Sequence, residues 1–88
     1  MTSEHDRIYA ETFSLRNGAV ALIAETDLAS PLREQALNIA RRTSALVRQY
    51  AQDRGRPPHH RDSMIMMASD IDAKLAMYEL LNSQGEPR

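Results

Sequence analysis

Eleven cationic side chains and three histidines carry most of the chemical capacity of this 88-residue chain. Seven arginines (33, 41, 42, 48, 54, 56 and 61) fall between positions 33 and 61, against only Glu34 and Asp53. Guanidinium groups clustered in this way bind phosphates or carboxylates through planar, forked hydrogen bonds. His59 and His60 follow Pro57-Pro58 and invite comparison with a metal site. Such a site needs three or four placed ligands. The chain has no cysteine and no pair of histidines at helical i, i+4 spacing. The two are therefore expected as exposed loop histidines, and neither a metal nor a cofactor is expected.

Catalytic constellations are equally thin. Three widely spaced glycines make no phosphate-cradling loop. A serine nucleophile needs a base oriented beside it, and no serine has one in the sequence pattern. The length is similar to that of small all-helical chorismate mutases, whose site needs charged residues inside the bundle. Here Arg16, Arg54 and Lys74 reach only the edges of the apolar stripes. The reading is of a non-enzymatic chain.

The elements that position these residues follow from the 3.6-residue period. One apolar stripe, Ile8, Thr12, Leu15, Ala19, Leu22 and Ile23, keeps phase across Asn17-Gly18. That predicts a single helix over about 4–27, capped by Ser3, with a soft point at Gly18. Ser30-Pro31 is a start signal for a second helix over about 31–54. Its expected buried stripe is Leu32, Ala36, Ile39, Ala40, Thr43, Leu46, Val47 and Tyr50. Gly55 stops it, and 55–61 reads as a stiff basic Pro-rich loop. A third helix is expected over about 63–83, capped by Asp62 or Ser63, with a short tail at 85–88.

The third helix is apolar on two sides. Met64, Met67, Ala68, Ile71, Leu75 and Tyr78 share one stripe, while Met66, Ala73, Met77 and Leu80 lie nearly opposite. A three-helix domain has use for only one of these faces, so the other is expected to meet a partner. Methionine packs adaptably, which suits such a surface.

Charge runs acid, base, acid along the chain. Residues 1–32 balance at −3, 33–61 at +5 and 62–88 at −3. In a bundle the basic middle helix pairs with its acidic neighbours, which selects an arrangement more than it stabilises one. An overall pI near 6.3 argues against a dedicated nucleic-acid binder. No apolar run approaches the ~18 residues of a membrane span, and the N-terminus lacks a signal-peptide pattern. A cytoplasmic protein is the expectation.

Over its C-terminal two-thirds the chain resembles the TraM type of quorum-sensing anti-activator. The resemblance runs from Thr26-Asp27-Leu28 through the helix bearing Arg41-Arg42 and the Gly/Pro/His loop. It ends in the Met-bearing helix with Leu75-Ala76-Met77-Tyr78-Glu79-Leu80-Leu81. It implies a small all-helical dimer that disables a LuxR-type transcription regulator.

The expectation is thus one all-α domain over 1–88, an antiparallel three-helix bundle forming a helical homodimer. Its function would be to bind another protein, as an inhibitor or anti-activator of a regulator. Met66, Ala73, Met77 and Leu80 would make apolar contact. Arg41, Arg48, Arg54, Arg56 and Arg61 would orient an acidic partner. A secretion-type chaperone and a nucleic-acid-associated protein are the alternatives.

Overall fold

The computed structural model describes residues 3–85, with side chains to Ser83. Three helices pack against one another: α1 (Glu4–Glu25), α2 (Arg33–Ala51) and α3 (Pro58–Gly85). Most of the tail expected at 85–88 lies outside the described residues.

α1 begins where Ser3 Oγ accepts the Asp6 N–H at 3.1 Å. It passes through Asn17-Gly18 without a break, because both residues face solvent and nothing in the core depends on their side chains. The helix ends two residues earlier than expected, at Glu25. The Thr26 hydroxyl caps that end by donating to the Leu22 carbonyl at 2.6 Å.

The connection to α2 is tied down at three points. Tyr78 Oη donates to the Asp27 carbonyl at 2.9 Å, and Arg33 donates to the Leu28 carbonyl and to Asn82 Oδ1. Ser30 Oγ accepts the Leu32 N–H at 3.1 Å, and the Ser30 carbonyl accepts the Arg33 N–H at 3.2 Å. Ser30-Pro31 precedes α2 without capping it: one tight turn intervenes, Leu32 is the N-cap, regular helix begins at Arg33 rather than Pro31, and it ends at Ala51, three residues before the expected Arg54.

Two sequence expectations are corrected here. The first is the loop. α3 starts at Pro58, five residues before the expected Ser63, so the connection is only 52–57. Pro58 occupies the first helical position, where its missing N–H is not needed and its fixed φ suits the helix. His59, His60 and Arg61 are thus helical, and Ser63 is no cap: its Oγ accepts the Tyr9 hydroxyl at 2.8 Å.

The second is the rotation of α2. Its buried residues are Ala36, Leu37, Ala40, Ser44, Val47 and Ala51. Leu32 and Ile39, placed in the expected stripe, are 60% and 53% exposed. Small side chains at 36, 40, 44 and 51 let α3 come close, so the helix turns those inward and leaves larger aliphatic groups at the edge.

The core has two apolar sectors. Ala19, Ile23, Leu37, Ala40, Ile71, Leu75 and Tyr78 fill one. Val47, Ala51, Met64, Met67 and Ala68 fill the other. All six residues of the expected inner stripe of α3 are buried. The cross-helix pairs give the directions. Tyr9–Ser63 and Arg16–Asp70 both join residues 54 positions apart, so α1 and α3 run parallel. Arg41 pairs with Glu79 and Arg48 with Asp72, so α2 runs antiparallel to α3. The bundle measures 55 × 19 × 14 Å. Its radius of gyration is 14.9 Å, against about 12 Å for a compact chain of this length. So slim a bundle has little interior for its surface.

Candidate functional site

The outward face of α3 lies opposite the sealed stripe. Met66 is 68% exposed, Met77 59% and Leu80 57%, and Ala73 is exposed between them. Two residues that the opposed-stripe reading left out enlarge this surface. Leu81 is 50% exposed and Leu28 37%. Together with Val20, Met77, Tyr78 and Lys74 they line a mainly apolar groove of about 340 Å³ between the C-terminal halves of α1 and α3. Leu81 stands one helical turn from Met77, so its position was available in the sequence. That α1 lies beside it was not.

The arginines part company. Arg41 and Arg48 are half-exposed and pair with Glu79 and Asp72 of α3, the latter at 2.6 Å. Arg48 also donates to Ser44 Oγ at 2.7 Å, and that buried hydroxyl donates to Asp72 Oδ1 at 2.6 Å. Arg42 and Arg54 are exposed. Arg61 is exposed, with Nε 3.7 Å from Asp62. Arg56 departs from its expected place. Its side chain is only 2% exposed. It donates to the Tyr50 carbonyl at 2.7 Å and to Asp53 Oδ2 at 2.9 Å, and its Nη1 lies 2.7 Å from His5 Nδ1. Arg56 closes the α2–α3 connection against the start of α1, and no partner reaches it. Its fork fits this place because three acceptors converge there. Since guanidinium only donates, His5 Nδ1 is the acceptor in this contact.

His60 is also relocated. It is 6% exposed and stacks on Tyr9, with centroids 4.2 Å apart and planes 10° off parallel. Its Nε2 lies 3.7 Å from Asp6 Oδ1. His59 remains exposed. Among the described residues no three His, Asp or Glu side chains group closely enough to hold a metal ion. No helix among them is long and apolar enough to cross a membrane.

A second depression of about 620 Å³ lies at the turn between α1 and α2, bordered by Leu22, Glu25, Leu32 and Ile39. Comparison with family models, with curated proteins and with solved structures found no match to this chain.

Proposed function

We propose that this chain is a non-enzymatic, cytoplasmic interaction protein that binds another protein through the outward face of α3, as an inhibitor or anti-activator of a regulator. The observation that carries the reading is the exposure of Met66, Met77 and Leu80 on a helix whose opposite face is fully sealed. Covering three such side chains is worth about 1.5–3 kcal/mol each before ordering costs. A helix or groove with an apolar surface on the partner fits this ridge. Arg42, Arg54 and Arg61 remain at the surface to orient an acidic partner, whereas Arg41 and Arg48 are engaged within the chain. Among the described residues, that engagement and the burial of Arg56 remove three of the six arginines that the nucleic-acid alternative would use.

The test combines sedimentation equilibrium with capture from native extract, for the wild type and for Met77→Asp. The wild type should self-associate or retain a defined set of proteins. Met77→Asp should lose both while keeping its helical circular dichroism. A wild type that stays monomeric and retains nothing overturns the proposal. So does a Met77→Asp variant that unfolds, since the face would then be core.

A further inference from the structure

The two flanks of α3 differ in kind. On the α2 side the surface is closed by the Arg41–Glu79 and Arg48–Asp72 pairs and the Ser44 hydroxyl. On the α1 side one ion pair, Arg16–Asp70, crosses at 3.2 Å, and the surface beside it is mainly apolar. There Phe13, 38% exposed, lies between Tyr9 and Arg16, and further along the same flank lies the groove of Val20, Ala24, Leu28, Met77 and Leu81. One flank thus holds both a partly exposed aromatic ring and an apolar recess.

We infer that a second copy of this chain covers the α1/α3 face in antiparallel, two-fold pairing, with Phe13 of each protomer seated in the other's groove. This rests on the reading above that the face binds protein; a second copy seated there would have to leave before another protein could bind. The register follows from the cross-helix pairs. Since α1 residues sit level with α3 residues 54 positions later, Phe13 is level with Met67. A two-fold axis crossing α3 at the level of Asp72 sets Phe13 level with Met77 of the second copy, beside the recess. The same axis brings the second copy's Lys74 opposite Asp70, which pairs with Arg16 of its own chain at 3.2 Å and would be shared between the two. Lys74 is exposed and, among the described residues, has no ion-pair partner. The apolar complementarity is met by this one placement, and a two-fold axis satisfies it twice.

The size of the surface points the same way. From Met66 to Leu81 the ridge of α3 is about 22 Å long and ~10 Å wide, on the order of 200 Å². A stable interface covers about 800 Å² per partner. Adding α1 over the length of the packed pair raises the face to on the order of 600 Å², in the range of a small dimer. The α3 ridge alone does not reach it.

The absence of cysteine from the chain makes the test direct. Phe13→Cys and Ala24→Cys variants are mixed and mildly oxidised. The mixture should give a covalent dimer, and either variant alone at least ten-fold less. In this register the self-pairs stand about 15–18 Å apart along the axis, well beyond the ~7 Å that a disulfide spans. Phe13→Ala should raise the dimer dissociation constant ten-fold or more, while Ile39→Ser on the α1/α2 side leaves it unchanged. Efficient self-linking of either cysteine variant overturns the antiparallel register. A dimer indifferent to Phe13→Ala overturns the seat. A monomer at about 100 μM overturns the inference, and if Met77→Asp still abolishes capture of a protein, the interaction reading stands without it.

Discussion

Arg56 stands among six other arginines between positions 33 and 61 and is set apart by one backbone event. Gly55, at φ +81°, turns the chain into the left-handed region that glycine enters without cost. The turn folds Arg56 back onto the Tyr50 carbonyl, Asp53 and His5. Arg56→Ala removes a buried guanidinium together with its bonds to the Tyr50 carbonyl, Asp53 and His5 and should destabilise the protein by about 2–4 kcal/mol, read as a lowered urea midpoint. Arg56→Lys keeps the charge but cannot reach three acceptors and should recover less than half of the loss. Arg54→Ala, at an exposed site, should change stability by no more than about 0.5 kcal/mol. In the sequence these two arginines look alike. Only the direction of the chain after Gly55 separates them.

At the scale of elements, helix lengths are set by local signals and helix rotation by neighbours. Ser3 and the phase-keeping stripe of α1 were legible and mark a real helix start and a real continuity, whereas Gly55 lies within the connection, four residues beyond the end of α2 at Ala51. The start of α3 was misread because Pro57-Pro58 serves equally well as an extended loop or as the entry to a helix. Which one forms depends on what the following turn packs against, here Tyr9 over His60. Two substitutions measure the rotation of α2. Leu37→Ala should cost about 2–4 kcal/mol as a core truncation, while Ile39→Ala should cost less than about 1 kcal/mol, since Ile39 is half out in solvent. Equal losses in thermal or urea unfolding would return α2 to the phase expected from its bulkiest side chains. Gly18→Ala tests the continuity of α1. An added Cβ meets nothing within 4 Å, so the variant should gain roughly 0.5–1 kcal/mol from helix propensity. Destabilisation would mean that the helix is interrupted there.

For the whole molecule, the governing fact is a slim bundle with apolar side chains on both sides of its longest helix. A core of this size stabilises only marginally, and association adds to it. The melting temperature of the wild type should therefore rise with protein concentration, as for any fold linked to assembly. Met77→Asp should melt lower and lose that dependence. A concentration-independent melt for the wild type would show that the exposed ridge contributes nothing to stability. The charge pattern acts at the same scale. The middle helix does pair with α3 through Arg41 and Arg48, while α1 meets α3 through Arg16–Asp70. Among the described residues the expected pairing of the middle helix is thus seen toward α3 and not toward α1, and it leaves unsealed the face that carries Phe13, Met66 and Met77.

The period of the apolar residues determined, without any coordinates, that there are three helices, that they pack together and that α3 is greasy on two sides. Periodicity is a property of one helix, and one helix suffices to show it. The tertiary structure decided how far α2 turns, which arginine is buried, and that the free ridge of α3 adjoins a partly exposed aromatic ring and a recess on α1. Those outcomes depend on side-chain volumes summed across three helices at once, and no single stretch of sequence contains that sum.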